Sequence, residues 1–198
     1  MSFKDKCIQF MYNFTWFSKI YYILTMKISK RLEKCPVPLF KEPKEIVSLL
    51  RSRNLYKHDN IADIFKDYLI HPQVIQCRLE QKIPFGDCDD HAIYWCTALK
   101  KSKLAKKVWF SFFSMKGRQP DNSYGAHAVC VFVGHDYKIY WCDYSLPREI
   151  QNIADFQVKS AERYGCEAVC AAMWEVIEIK EDDTPVFEQI LRILPPKK

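Results

Sequence analysis

Residues 86–92 read GDCDDHA, and this short stretch decides how the rest of the chain is interpreted. Gly86 allows a tight turn into the run at 89–104, which has helical composition. The three aspartates of the stretch suit the N-cap and the first turn of a helix, where main-chain N–H groups lack helical partners. The sequence therefore predicts a helix that begins beside Cys88.

Cys88 is the candidate nucleophile. A thiol in the first turn of a helix lies near unpaired N–H groups and the positive end of the helix dipole, and both favour thiolate over thiol. The cysteine's own N–H can also donate to an oxyanion. The neighbouring aspartates oppose the thiolate, so a cationic imidazole is needed nearby. The other interpretation is an inert core thiol, which is the commoner fate of a lone cysteine.

A histidine and a carboxylate occur on the predicted strands that follow. His127 lies in the sequence GAHAV, Asp143 ends the sequence YWCD, and the turn-like sequence GHD at 134–136 separates them. A hairpin centred on residue 135 places the two side chains opposite each other, with Cβ atoms about 4.5–5.5 Å apart. The carboxylate then accepts from one ring nitrogen and leaves the other for a thiol. We therefore predict a catalytic triad of Cys88, His127 and Asp143.

The hydrophobic pattern changes from helical to strand-like along the chain. Helices are expected at 4–34, 44–53, 61–69, 89–104 and, near the end, 186–193, and strands at 107–115, 127–133, 138–143 and 171–179. Helices followed by an antiparallel sheet predict an α+β fold. Three prolines between 36 and 43 mark a boundary, so we divide the chain into a helical arm (1–45), a catalytic domain (46–180) and a C-terminal helix and tail (181–198).

The composition excludes several classes of protein. The chain has 198 residues, of which 48% are hydrophobic and 27% charged, which is typical of a globular domain rather than a disordered or multi-span membrane protein. A net charge of +6 falls short of a nucleic-acid footprint, so no nucleic-acid partner is expected. The nine cysteines are odd in number and contain no C-x-x-C pair, which favours free thiols in a reducing, cytoplasmic compartment. No cleavable signal is recognisable, so we expect an intracellular protein.

The predicted N-terminal helix has an apolar stripe that runs from Cys7 to Ile28 in steps of three and four. Lys19 lies in the middle of this run, and a bilayer span would have to desolvate its ammonium group. We expect the helix to pack on its own domain. Contact with a membrane surface through its aromatic second face is the less favoured alternative.

Four sequences together resemble the core of the transglutaminase-like superfamily, including its bacterial and phage-type cysteine protease branches: GDCDDHA, the strand at 107–115, GAHAVCV and YWCDYSLP. The resemblance covers roughly residues 55–150. It implies a papain-like core in which the nucleophilic cysteine begins a helix packed on an antiparallel sheet. It also implies Cys88 as nucleophile, His127 as base and later acid, and Asp143 as the group that orients His127. A viral, phage or bacterial source suits the resemblance.

The activity that the resemblance implies is acyl transfer through a thiol, with a protein or peptide as substrate. Animal-type transglutaminases use an upstream tryptophan to stabilise the oxyanion, and this chain has none between Trp16 and Trp95. A cysteine peptidase or amidase is therefore expected first. A protein-glutamine transglutaminase or deamidase, and a catalytically silent binding module of the same fold, remain alternatives, and the oligomeric state is open.

Further side chains are expected near the nucleophile. Gln81, seven positions before Cys88, could donate its amide to an oxyanion as an upstream glutamine does in papain-like enzymes. The position of four aromatic residues near the motif strands indicates that they line the cleft: Trp109, Phe112, Tyr124 and Tyr144.

Two metal sites are weighed and neither is favoured. Asp87 and Asp89 flank the cysteine as calcium-binding carboxylates do in some bacterial relatives, but two carboxylates are too few, so capping roles and no cofactor are expected. Zinc would need a Cys88–His91 pair and a second pair, His127 and Cys130. Residues three apart on a strand point to opposite faces, which disfavours zinc.

Overall fold

The computed structural model describes residues 24, 34–51, 69–117, 124–152 and 166–193, and it gives the backbone alone at 112–117, 124–126, 166–172 and 189–193. These residues form three helices and six strands: α1 (Pro43–Arg51), α2 (Pro72–Gln81), α3 (Cys88–Lys101), β1 (Lys107–Gly117), β2 (Tyr124–Val133), β3 (Ile139–Cys142), β4 (Arg148–Ile150), β5 (Cys166–Ile179) and β6 (Pro185–Ile193). The predicted α+β class is confirmed. The helices expected at 4–34 and 61–69 lie almost wholly outside the described residues.

The strands form one antiparallel sheet with the order β4-β3-β2-β1-β5-β6. The strand β1 lies inside the sheet and pairs along most of its length with both β2 and β5. The hairpin of β2 and β3 carries His127, and Asp143 directly follows it. The sheet therefore brings the predicted base and the predicted acid to adjacent strands.

The central element is α3, which is buried from Asp89 to Leu99 and packs on β1, β2 and β5 while α1 and α2 cover its other sides. A helix surrounded in this way needs apolar residues all round, and Trp95 is 1% exposed within the main core. The helix is capped at its start by Asp87 and ends with Lys100 and Lys101, whose charges suit the negative end of the helix dipole. Burial of such large side chains contributes about 1.5–3 kcal/mol each.

The alternate side chains of the sheet form two apolar clusters. The larger cluster, against α3, contains Phe110, Cys130 and Trp174. The smaller cluster contains Trp109, Val131 and the other residues Val129, Trp141, Ile150 and Met173. Because both faces of the sheet are buried, its strands are apolar at consecutive positions rather than at every second one.

The C-terminal helix expected at 186–193 is wrong: these residues belong to strand β6, where Phe187 pairs with Val176 of β5. A short apolar run does not distinguish a helix from a buried strand by periodicity alone. The long strand β5 offers main-chain partners along this segment, and tertiary pairing decides its structure. The sequence also gave no prediction of α2 or β4.

The expectation of nine free thiols is wrong for one pair, because Cys35 and Cys77 form a disulfide that joins the segment before α1 to α2. Their separation of 42 residues left no local signal in the sequence. Disulfides persist in oxidising compartments, so the reducing compartment inferred from the cysteine pattern loses its premise. The free cysteines with described side chains are Cys88, Cys96, Cys130 and Cys142.

A buried carboxylate ties three parts of the fold together. Asp183, in the turn between β5 and β6, is 0% exposed. Its Oδ2 accepts from the Val37 N–H at 2.9 Å and from the Gln73 amide at 3.1 Å, and its Oδ1 lies 2.6 Å from Lys101 Nζ. The segment before α1, the start of α2 and the end of α3 therefore meet at one side chain.

Within the part of the chain described here, every helix is too short or too polar to cross a bilayer.

Candidate active site

Cys88 is the first residue of α3, as the sequence predicts for the helix start. Asp87 is the N-cap, and its carboxylate accepts from the Asp89 N–H at 3.4 Å. The first helical hydrogen bond runs from the His91 N–H to the Asp87 carbonyl at 3.1 Å. Cys88 is half-buried and packs against the larger apolar cluster. It is therefore a residue at the positive end of the helix that retains contact with solvent.

The turn before Cys88 is fixed by a glycine and a carboxylate. Gly86 has φ +148°, and a Cβ at this position would lie 2.5 Å from Cγ of Asp90. Asp90 is held in place because its Oδ1 accepts from the buried Ile70 N–H at 2.6 Å. Only glycine satisfies both the backbone conformation and the space, so this contact sets where the helix and its cysteine begin.

His127 and Asp143 form a buried pair. The distance between His127 Nε2 and Asp143 Oδ1 is 2.9 Å, and the two residues are 7% and 4% exposed. The predicted contact is therefore present. A carboxylate in this position accepts a hydrogen bond from Nε2–H and so fixes the tautomer of the ring.

The register that brings them together differs from the predicted one. Cys130 pairs with Cys142, so the hairpin is centred on residue 136 rather than 135, and His127 is not directly opposite Asp143. The partner position of His127 is therefore shifted by two residues, from 143 to 145. Because side chains alternate with a period of two, His127 and Asp143 still belong to the same face of the sheet. A carboxylate diagonal to an imidazole remains within reach of it.

A loop of five residues produces this register. The Gly134 N–H donates to the Lys138 carbonyl at 2.9 Å, and Tyr137, with φ +66°, makes the left-handed step that closes the loop. The sequence GHD indicates a turn but does not fix its length.

Three aromatic rings connect this pair to the helix of Cys88. The Tyr144 ring centroid lies 5.8 Å from that of His127 and 4.8 Å from that of His91, and the His91 ring lies 4.5 Å from that of Phe85. His91 is three residues after Cys88, so the two share a face of α3. The Tyr144 ring therefore connects the pair of His127 and Asp143 to the first turn of the helix that begins with Cys88.

Along β2, His127 has the same parity as the residues whose side chains face away from α3. Along β2, Ala128 and Cys130 belong to the cluster on the helix, whereas Val129 and Val131 belong to the smaller cluster. Alternation groups His127 with Val129. The contacts of the Tyr144 ring with His127 and with His91 connect the histidine to the helix side of the sheet.

His91 is a neutral imidazole at neutral pH. Burial lowers its pKa to about 4, although the carboxylates of Asp87 and Asp143 act in the opposite direction. The sequence predicts this residue as a helix residue near the cleft that tunes its electrostatics, rather than as a metal ligand, because it follows Cys88 by three positions on a predicted helix. The contact of its ring with Tyr144 was not predicted.

The remaining predicted residues have different outcomes. Gln81 is the exposed last residue of α2, and its role at an oxyanion stays a prediction. Tyr144 contacts both histidines, in agreement with its expected place at the cleft. Trp109 instead packs in the smaller cluster, because its strand position faces away from α3. The side chains of Phe112 and Tyr124 lie outside the described residues.

Three buried thiols lie apart from Cys88. Burial raises the pKa of Cys96 and Cys142, and Cys130 pairs with Cys142 across the hairpin. Desolvated thiols stay protonated and react slowly. Cys130 lies in the core against α3, whereas His127 is bonded to Asp143, so the pair considered for zinc does not converge.

Among the described residues, one group of side chains is close enough to share an ion: Asp87, Asp89 and Asp90, with ligand atoms within 4.8 Å of one another. Each of these carboxylates accepts a main-chain N–H, from Asp89, Asp90 and Ile70 respectively. Calcium takes about six to eight oxygen ligands, more than these three side chains supply. The donor set fits helix capping better than a calcium site.

No family model matches the chain, and no curated protein matches it. Function is therefore inferred from the residues of the site and their chemistry.

Proposed function

We propose that this protein is a thiol acyl-transfer enzyme, a cysteine peptidase or amidase with a papain-like core of the transglutaminase-like superfamily. The observation that carries the proposal is the buried pair of His127 and Asp143, 2.9 Å apart, in the same neighbourhood as a helix that begins with a partly exposed cysteine. A buried ionisable pair is weak evidence for a stabilising role, because desolvation offsets its attraction. Its place beside a candidate nucleophile favours a role in chemistry.

The hydrogen bond to Asp143 determines the role of each ring nitrogen of His127. Asp143 accepts from Nε2, so we assign Nδ1 to the thiol of Cys88. A proton passes from sulfur to Nδ1, and the resulting imidazolium is stabilised by the carboxylate behind it. This cation also offsets the aspartates at the helix start, which otherwise disfavour the thiolate.

The reaction proceeds in two halves. The Cys88 thiolate adds to a carboxamide or peptide carbonyl, and main-chain N–H groups at the start of α3 donate to the oxyanion. The tetrahedral intermediate collapses, the C–N bond breaks, and His127 gives its proton to the leaving amine. Water then adds to the thioester while His127 takes one of its protons. Collapse releases a carboxylic acid and returns the proton to the thiol.

Alkylation of the cysteines by iodoacetamide, followed by mass mapping, tests the nucleophile. The protein is used without reductant so that the Cys35–Cys77 bond stays closed. We expect the pH profile of Cys88 alkylation to have its inflection well below about 8.5, the pKa of an ordinary thiol. Preferred labelling alone does not suffice, since Cys96, Cys130 and Cys142 are buried and would react slowly in either case.

The decisive comparison is between two histidine variants. His127→Gln should move the inflection of Cys88 alkylation to about 8.5 or above and lower turnover by about a hundredfold or more. His135→Gln is the matched control, because His135 is exposed and its ring contacts the Lys103 carbonyl at the far end of the hairpin. If Cys88 alkylation has the same inflection in His127→Gln as in the wild type, Cys88 and His127 do not form a thiol–imidazole pair, and the proposal is wrong.

One assay separates the possible acyl acceptors. A glutamine-containing protein is incubated with the enzyme and a fluorescent primary amine. Cleaved peptide bonds identify a peptidase. Released ammonia without incorporated fluorophore identifies a deamidase, and released ammonia with incorporated fluorophore a transglutaminase. We expect cleavage, since the tryptophan that animal-type crosslinking enzymes place upstream of the cysteine is missing.

A further inference from the structure

Tyr144, directly after Asp143, has φ +49°. This left-handed region is costly for a residue with a side chain, and it persists where surrounding contacts hold it. Arg51, the last residue of α1, supplies one such contact, because its Nε donates to the Tyr144 carbonyl at 3.1 Å. The end of α1 therefore holds the loop that follows β3.

The ring of Tyr144 supplies two further contacts. It meets the His91 ring edge-on, at an interplanar angle of 75°, and the tilted His127 ring at 45°. Contacts between aromatic rings are favourable, and they offset the cost of the left-handed backbone. The conformation is therefore maintained by the same contacts that join β2 to α3.

We propose that Tyr144 is a positioning residue for His127, an inference that rests on the proposed function. The hydrogen bond from Nε2 to Asp143 fixes one point of the imidazole but does not prevent rotation about that point. The Tyr144 ring restricts this rotation and so determines the direction of Nδ1. Since Asp143 and Tyr144 are consecutive, one short segment sets both the tautomer and the orientation of the base.

Two substitutions separate the ring from the backbone. Tyr144→Gly keeps the left-handed path, which glycine adopts freely, and removes the ring. Tyr144→Phe keeps the ring. Tyr137→Gly is the matched control, because Tyr137 also has a left-handed backbone, with φ +66°, but is 77% exposed at the hairpin loop, with Lys106 Nζ over its ring.

Tyr144→Gly should lower the rate of Cys88 alkylation at pH 7 by about tenfold or more and move its inflection towards that of an ordinary thiol. Tyr137→Gly should stay within about twofold of the wild type, because its exposed position is remote from the reacting atoms. Tyr144→Phe, which keeps the ring, should lose much less than Tyr144→Gly. A purely structural role for Tyr144 predicts a lower melting temperature with an unchanged inflection. That result would overturn the proposal.

Arg51→Gln provides a second route if Tyr144→Gly does not fold. It removes the donor to the Tyr144 carbonyl and leaves the ring in place. We expect a shift of the inflection in the same direction, smaller than that of Tyr144→Gly. An unchanged profile in Arg51→Gln, with Tyr144→Gly unfolded, counts against the proposal.

The imidazole itself can be followed without the thiol. In a Cys88→Ala background, the ring nitrogen signals of His127 should indicate one tautomer, with the proton on Nε2. Tyr144→Gly in that background should shift and broaden these signals, because the ring then samples several orientations while Asp143 still accepts from Nε2; unaltered signals would overturn the positioning role. If the proposed function alone fails, the signals still respond to Tyr144→Gly, whereas His127→Gln leaves Cys88 alkylation unchanged.

Discussion

Asp143 Oδ1 lies 2.9 Å from His127 Nε2, and the carboxylate side chain is almost fully enclosed. In that environment the interaction is weakly screened by water, so the carboxylate acts strongly on the ring beside it. It holds the Nε2 proton in the ground state and becomes the counter-ion when the ring takes up a second proton. The Asp143 side chain therefore interacts favourably with both the neutral and the cationic form of His127.

Asp143→Asn should reduce turnover by about a hundredfold or more while the fold is retained. The amide is isosteric with the carboxylate, but it carries no charge to stabilise an imidazolium and can donate to Nε2, which selects the wrong tautomer. Steady-state kinetics with the substrate identified by the cleavage assay measure the effect, and circular dichroism checks the fold.

Asp136→Asn is the control for this substitution. Asp136 is exposed in the hairpin loop and accepts from the Tyr140 hydroxyl at 2.6 Å, far along the strand from His127. It should leave turnover unchanged. An equal loss in both variants would mean that the hairpin, rather than the carboxylate at 143, is responsible.

Gly86→Ala should lower the free energy of unfolding by about 2 kcal/mol or more. The new methyl group would meet the Asp90 carboxylate, which cannot move without losing its bond from the Ile70 N–H. Urea denaturation measures the loss. Cys88 alkylation should also change, because the start of α3 has to shift.

Gly134→Ala offers a matched comparison. Its added Cβ would lie 2.5 Å from Asp136 Oδ1, which is a milder overlap than the one with Asp90 Oδ2 at Gly86, and the Asp136 carboxylate is exposed and can rotate away. We expect a loss below about 1 kcal/mol. A larger loss at Gly134 than at Gly86 would contradict the view that Asp90 is the fixed partner.

The stability of the protein should fall as the pH is lowered from about 6.5 to about 4, because of His91. Its pKa is about 4 in the folded state, against 6.5 for an ordinary histidine, so the unfolded chain binds the proton first. Above pH 6.5 His91 is neutral in both the folded and the unfolded state, so its titration does not lower the free energy of unfolding. The penalty grows to about 3 kcal/mol at pH 4 and then stops growing.

His91→Phe should flatten this part of the pH profile, since phenylalanine fills the space between the Phe85 and Tyr144 rings without titrating. Urea midpoints at several pH values measure it. His135→Gln, at an exposed position, should leave the profile as in the wild type. A profile in His91→Phe as steep as that of the wild type would assign the acid sensitivity to other groups.

Local chemistry explains what the sequence was able to predict. The start of α3 depends on Gly86, an N-cap aspartate and a helical run, all within a few residues of one another, and each has a physical signature. The contact between His127 and Asp143 was predicted from a turn and strand alternation. This prediction was correct although the predicted hairpin register was wrong, because the register differed by an even number of residues.

Long-range interactions explain what the sequence did not predict. The pairing of β6 with β5, the bond between Cys35 and Cys77 and the ring contacts of Tyr144 all depend on residues brought together by the fold. No local pattern distinguishes a strand from a helix at 186–193, since either would bury the same apolar residues. The left-handed conformation of Tyr144 was equally hidden, because its helix contact comes from Arg51.

Asp183 has a consequence for how the polypeptide matures. The side chain that receives Val37, Gln73 and Lys101 follows all three of them in the chain and is therefore synthesised later than each of them. Until it arrives, the ammonium of Lys101 lacks this carboxylate, and the contacts that join the three segments at Asp183 cannot form. Termination of synthesis before this turn would therefore leave the segment before α1, the start of α2 and the end of α3 without the side chain at which they meet.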